Sequence, residues 1–113
     1  MTGFEITHAE RAGWQRRAAG ELAAILDTHR DLPIIAWTVV PAGSTLVGHV
    51  NGLAPANEVR QVFDVWRVAL TLIEHSEVTA GGETTHLRAG AKYNRVRVRL
   101  TATVFGDGGQ ATR

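Results

Sequence analysis

Residues 93–105 constrain the fold most, because apolar and polar side chains alternate there almost without a break. One parity carries Val96, Val98, Leu100, Ala102 and Val104. The other parity carries Arg95, Arg97, Arg99, Thr101 and Thr103. Successive side chains of a strand point to opposite faces, so the pattern predicts a half-buried β-strand with a row of guanidinium groups facing outward.

The composition predicts one soluble domain spanning residues 1–113. Of these 113 residues, 44% are hydrophobic and 20% are charged, which is enough for a packed core and argues against disorder. The chain has no cysteine, which excludes disulfides and thiolate metal sites and suits a reducing cytosol. No apolar run reaches the length of a membrane span and no signal core follows the N-terminus, so we expect a cytoplasmic protein without membrane contact. We also expect flexible ends at about 1–5 and 106–113.

Charge is distributed unevenly along the chain. Residues 1–82 carry six basic and nine acidic side chains, whereas residues 83–113 carry six basic and two acidic ones. A basic segment attracts anionic partners, although the acidic segment weakens the long-range field. The bias toward Ala, Arg, Val and Gly, with a single lysine, is typical of a GC-rich bacterial genome.

The first half of the sequence predicts a helix followed by a hairpin. Thr7 and Glu10 have the spacing of a capping box, and Pro33 ends the helix that follows. Its apolar side is predicted to carry Trp14, Ala18, Leu22, Ile25 and Leu26. Residues 34–40 and 45–50 then read as paired strands, with Trp37 opposite Gly48.

A second helix is predicted to begin at Pro55 and to be unusually apolar. Its core stripe comprises Val59, Val62, Phe63, Trp66, Leu70 and Ile73. A second stripe beside it comprises Val65, Val68 and Leu72. Such a helix needs cover on two sides, from the sheet and from either the first helix or a second subunit.

The remaining residues predict a three-stranded meander. Strands at 75–80 and 83–89 flank the two-residue turn Gly81-Gly82, and a loop at 91–94 precedes the alternating strand. This loop places Ala89 opposite Val96, Leu87 opposite Val98 and Thr85 opposite Leu100. The predicted fold class is a two-layer α+β sandwich of order α-β-β-α-β-β-β, with two helices on one face of a five-stranded antiparallel sheet.

The predicted register gathers positive charge on the open face of the sheet. Arg88 would lie opposite Arg97, His75 opposite Arg88, and His86 between Arg99 and Glu77, and facing like charges destabilise a sheet unless an anion neutralises them. The candidate residues for binding an anion or nucleic acid are Arg88, Arg95, Arg97, Arg99, His86 and His75. The alternative interpretation is that the arginines extend into water, protect an exposed sheet and make scattered ion pairs.

No metal, cofactor or catalytic motif emerges from the sequence. His75, Glu77 and His86 could converge, but their spacing matches no metal motif and neighbouring arginines would repel a cation. The chain lacks a nucleophile elbow, paired carboxylates and a phosphate loop, so catalysis would have to come from an enzyme without a local signature. The tryptophans have core parity, which favours packing over a cofactor pocket.

These observations favour a non-catalytic interaction or regulatory protein. We expect a homodimer, formed through the second helix or the open sheet face, that binds a protein partner or an acidic ligand. The alternative is a nucleic-acid-binding module that uses the basic sheet face, although the paired aromatic side chains of single-strand-binding sheets are missing.

Overall fold

The computed structural model describes residues 7–40 and 43–106. Helix α1 spans His8–Thr28 and helix α2 spans Ala56–Ala69. The five strands are β1 (Ala36–Val40), β2 (Thr45–Val50), β3 (Glu74–Ala80), β4 (Thr84–Tyr93) and β5 (Val96–Phe105). The predicted flexible ends lie outside the described residues, apart from Gly106. Within the described ranges, neither helix is long and apolar enough to cross a membrane.

The predicted α+β class and the element order are confirmed, but the sheet is mixed and not purely antiparallel. Its strand order is β1-β2-β5-β4-β3, and β2 and β5 are parallel neighbours. Helix α2 carries the chain from the end of β2 to the far edge of the sheet, where β3 starts in the direction of β2. The meander then brings β5 into the centre in that same direction, where its apolar side is covered by both helices.

Helix α1 begins as predicted. The Thr7 hydroxyl accepts a 3.0 Å hydrogen bond from the backbone N–H of Glu10, and the Glu10 carboxylate accepts a 2.9 Å hydrogen bond from the N–H of Thr7. Ala18 and Ile25 are buried on the core side, whereas Leu26 is 46% exposed. The buried side of α1 is therefore narrower than the sequence pattern predicts.

Helix α2 lies over the centre of the sheet and supplies the largest buried side chains. Pro55 is its N-cap and not its first helical residue. The buried side chains of the helix and its C-cap are Ala56, Val59, Phe63, Trp66 and Leu70. Ile73 is 80% exposed because the helix has already ended at Ala69, so the predicted stripe does not continue that far.

The second apolar stripe of α2 is largely covered within the chain. Leu72, which follows the end of the helix, is buried, and Val65 is half-buried against the core. Only Val68, at 64%, is mainly exposed. The extra apolar side chains of this helix therefore do not require a second subunit to cover them.

The β1–β2 hairpin has the predicted register, with Trp37 opposite Gly48 and Val39 opposite Leu46. The indoles of Trp37 and Trp66 meet edge to face at a centroid distance of 5.6 Å, which the missing side chain at Gly48 permits. Trp66 Nε1 donates a 2.7 Å hydrogen bond to the Pro33 carbonyl and so fixes the chain that enters β1. β1 starts at Ala36, two residues later than predicted.

The predicted register of β4 and β5 is wrong by four residues. The loop at 91–94 is instead a two-residue turn, Asn94-Arg95, and β4 continues to Tyr93. Both turn residues have positive φ, 47° and 68°, as a type I′ turn requires. Ala89 lies opposite Leu100, Leu87 opposite Ala102 and Thr85 opposite Val104. A shift of four keeps the parity, so the apolar face of each strand is still the buried one.

The predicted register of β3 and β4 is wrong by one residue, which exchanges the two faces of β3. The turn contains Gly81, Gly82 and Glu83, because Ala80 pairs with Thr84. His75 therefore lies opposite Ala89 and not Arg88, and Glu77 lies opposite Leu87 and not His86. Both side chains are on the helix side of the sheet, where His75 contacts the Phe63 ring.

Candidate anion-binding face of the sheet

Among the described residues, the face of the sheet turned away from the helices, here called the open face, carries four lysine and arginine side chains close together. The alternating pattern of β5 presents Arg97 and Arg99, and the open-face positions of β4 add Arg88 and Lys92. Lys92 lies opposite Arg97, Gly90 opposite Arg99, and Arg88 opposite Thr101. We call Arg88, Lys92, Arg97 and Arg99 the cation cluster.

A shallow depression with a volume of about 650 Å³ lies beside the cation cluster. Gly90 forms part of its floor, since this residue has no side chain to fill the space between Arg99 and Glu74. A Cβ atom at position 90 would lie 3.2 Å from the Val98 carbonyl oxygen and 3.4 Å from Glu74 Oε1. The residues that line the depression include Glu74, His75, Ser76, Arg88, Arg97, Arg99 and Thr101, although the His75 side chain lies on the helix side of the sheet.

Positive charge exceeds negative charge on this face. Among the described strand residues of the open face, Glu74 is the only carboxylate. Its Oε1 lies 3.5 Å from Nη1 of Arg97, and the two side chains are 66% and 40% exposed. An ion pair this exposed contributes only about 0–1 kcal/mol, so it is easily exchanged for another anion.

The structure brings together only part of the predicted binding set. Arg88, Arg97 and Arg99 share the open face, but the predicted Arg88–Arg97 pair does not form. His86 is on the same face, beside Thr103, with 3.4 Å between its Nδ1 and the Thr103 hydroxyl. Arg95 lies in the β4–β5 turn, outside the ladder.

His75 does not belong to the open face. Its ring is tilted over Phe63 of α2 at a centroid distance of 6.0 Å. The predicted contact of His75 with Arg88 is therefore wrong, because the three-residue turn after β3 moves His75 to the helix side.

Sequence reasoning missed three participants: Lys92, Gly90 and Glu74. Lys92 and Gly90 continue the parity of Arg88, but the loop predicted at 91–94 obscured the end of β4. Glu74 precedes the predicted start of β3 and reaches the open face only in the observed register.

The described residues contain no group of three potential ligands that could hold a metal ion. The considered set of His75, Glu77 and His86 is divided between the two faces of the sheet. Glu77 instead accepts hydrogen bonds of 3.2 and 2.8 Å from both terminal nitrogens of Arg60. The geometry therefore gives this trio no common site.

A small cleft on the helix side contains a titratable group with a shifted pKa. Burial raises the pKa of the Tyr93 phenol, and the nearby Glu21 carboxylate raises it further. A hydrogen bond with Thr71 acts in the opposite direction. The Tyr93 hydroxyl therefore lies in a cleft between α1 and the end of α2.

Comparisons with known proteins add no functional information: no family model, no curated protein and no solved structure matches this chain. Any functional conclusion therefore depends on the chemistry of the open face.

Proposed function

We propose that this chain is a non-catalytic interaction protein whose open sheet face binds an acidic segment of a partner protein. The observation that carries the proposal is the cation cluster, whose three arginines lie around a depression that also includes Glu74. The proposal includes a cytoplasmic location, which the lack of cysteine supports.

The arrangement of the cation cluster is less favourable to the isolated protein than scattered charges would be. Lys92 and Arg97 occupy directly opposite positions on neighbouring strands. Like charges at such positions destabilise a sheet by several tenths of a kcal/mol. A bound carboxylate would remove this repulsion and could accept paired hydrogen bonds from a guanidinium group.

The composition of the open face favours a protein partner over nucleic acid. Three of its four cations are arginines, the cationic residue enriched at protein interfaces, and threonine and valine surround them. Phe105 is its one exposed aromatic side chain among the described residues. Phe105 is six residues along β5 from Arg99, roughly 20 Å away, so bases near the cation cluster would lack a stacking partner.

Nucleic-acid binding is the second candidate function, and the arginines of β5 are the observation that favours it. Arginine and lysine bind phosphates without sequence preference, and such binding weakens steeply as salt concentration rises. A preference for DNA or RNA over an acidic polypeptide would support this alternative.

A matched pair of triple variants tests the proposal. One variant, Arg88→Gln/Arg97→Gln/Arg99→Gln, removes three charges from the cation cluster. The control, Arg11→Gln/Arg16→Gln/Arg30→Gln, removes three charges from exposed arginines on and just after α1. Circular dichroism and thermal melting establish that both variants fold.

The binding assay uses fluorescence anisotropy at 50 and 200 mM salt with three labelled probes: poly-L-glutamate, a single-stranded 20-nucleotide DNA and a duplex RNA. We expect poly-L-glutamate to bind the wild type, the sheet variant to lose at least about tenfold in affinity and the control to change less than about twofold. Equal losses in the two variants, or no binding of poly-L-glutamate at 50 mM salt, would contradict the proposal. Tighter binding of DNA or RNA that depends on the same arginines would replace it with the alternative.

A further inference from the structure

Strand β3 is an edge of the sheet and is exposed along its whole length. All seven of its residues are exposed, and β4 is its only neighbouring strand among the residues that the structure describes. Its ladder with β4 runs from Glu74 to Ala80 without a bulge, and the strand contains neither proline nor lysine. Edge strands are normally protected from pairing with other chains by a bulge, by proline or lysine, or by other charged side chains.

The two charges on this edge are directed back to their own chain. Glu74 pairs with Arg97 on the open face, and Glu77 pairs with Arg60 on the helix side at 2.8 Å. Each carboxylate is therefore partly offset by a cation of its own chain, which reduces its repulsion of an approaching strand without removing it. Exposed apolar side chains also lie at this edge, Ile73 at 80% and Val78 at 57%.

We propose that β3 pairs antiparallel with β3 of a second copy of this chain, which forms a two-fold dimer with a continuous ten-stranded sheet. The sequence predicts a dimer through α2 or through the open face, and the proposed interface is neither of these. The second stripe of α2 is mostly covered within the chain. The proposal does not depend on the function of the open face. The two-fold axis is perpendicular to the sheet, so both cation clusters lie on the same side of the dimer.

The avoidance of facing carboxylates guides the choice of register for this pair. A two-fold axis at Ser76 places His75 opposite the partner's Glu77, twice, on the helix side, and Glu74 opposite the partner's Val78. An axis at Glu77 would instead place two carboxylates directly opposite each other, which is unfavourable. The register centred on Ser76 is therefore the proposed one.

The other edge strand, β1, is a poorer partner. It has five residues, and Trp37 and Val39 are already partly covered by the core. Because β1 is shorter than β3, it offers fewer backbone hydrogen bonds to a second copy. Because two of its side chains pack against the core, it also offers less apolar surface. These differences favour β3.

The lack of native cysteine makes a crosslinking test specific. Directly opposite residues in an antiparallel pair have Cα atoms about 4.5–5.5 Å apart, within the range of a disulfide. We compare Ser76→Cys with Glu77→Cys and Val78→Cys, and use Thr38→Cys, at the centre of β1, as the matched control. We expect Ser76→Cys to form a covalent dimer at least about tenfold faster under mild oxidation than the other three. Faster crosslinking of any of these three would overturn the proposed register or edge.

Sedimentation equilibrium of the wild type at 5–200 µM provides the second measurement. We expect a mass of two chains at the upper concentrations and a mass of one chain for Val78→Glu, which places a second carboxylate opposite the partner's Glu74 at both ends of the pair. Circular dichroism confirms that Val78→Glu remains folded, which the exposed position of Val78 favours. A one-chain mass for the wild type at 200 µM would overturn the dimer.

Discussion

Replacing Arg95 with glycine should stabilise the protein, although it removes a side chain from a hairpin turn. Arg95 has a φ of 68° and follows Asn94, whose φ is 47°. Asparagine tolerates this left-handed conformation, and glycine is the residue that a type I′ turn prefers at the next position. The native turn therefore holds an arginine in a conformation that ordinary side chains disfavour.

The magnitude follows from two opposing terms. The left-handed conformation costs an ordinary residue about 1–2 kcal/mol, and Arg95→Gly removes that cost. Glycine loses about 0.5–1 kcal/mol more conformational free energy on folding. The net gain in the free energy of unfolding is about 0–1.5 kcal/mol, and its midpoint corresponds to a rise in Tm of roughly 2–5 °C for a domain of this size.

Urea denaturation followed by circular dichroism measures the change, and Arg16→Gly is the matched control. Arg16 lies in the exposed interior of α1, so the same substitution there should destabilise by about 1 kcal/mol. A loss of stability in Arg95→Gly would refute the two-residue turn and support the loop at 91–94. In that alternative residue 95 begins the strand, where glycine is destabilising.

Three further predictions concern other parts of the fold. Thr7→Ala should cost about 1 kcal/mol in urea denaturation, because it removes the capping hydroxyl, and Thr28→Ala at the other end of α1 should cost less. Gly48→Ala should cost about 1–3 kcal/mol, because its Cβ would lie 3.0 Å from the Trp37 ring, whereas Gly20→Ala, with no atom within 4 Å, should stabilise; a neutral Gly48→Ala would contradict the packing. The raised pKa of Tyr93 means that the unfolded chain ionises first, so this contribution to stability is complete below pH 10 and is lost as pH rises through the folded pKa. Denaturation midpoints between pH 8 and 11 should therefore fall less steeply in Tyr93→Phe than in the wild type, and parallel curves would contradict the assignment.

The sequence determined the elements and the buried faces better than it determined the partners of each strand. The strand at 96–105 is predicted from the alternation of its own side chains, and the Trp37–Gly48 pair from the fit of a large side chain over a small one. Both predictions are confirmed. The register of β4 and β5 depends on the turn, and Asn94-Arg95 lacks the glycine that usually marks a type I′ turn. The prediction for the turn after β3 is wrong because Gly81-Gly82 suits a two-residue turn, whereas the observed turn also includes Glu83.

The candidate site could be predicted only where it depends on the face that each residue occupies, and not where it depends on the exact strand ends. Parity alone places Arg88, Arg97 and Arg99 on one face, and both strand registers preserve that placement. Lys92 and Glu74 required the true ends of β4 and β3. The one-residue error in the predicted register of β3 places His75 on the wrong face, because side chains alternate with a period of two.

Backbone amide chemical shifts test most directly whether the open face is the binding surface. Uniformly ¹⁵N-labelled protein is titrated with poly-L-glutamate at 50 mM salt, and the shift changes are mapped onto the structure. We predict saturable changes concentrated at Arg88, Gly90, Arg97 and Arg99, with little change along α1. Changes concentrated on the helices, or none at saturating probe, would contradict binding through the open face.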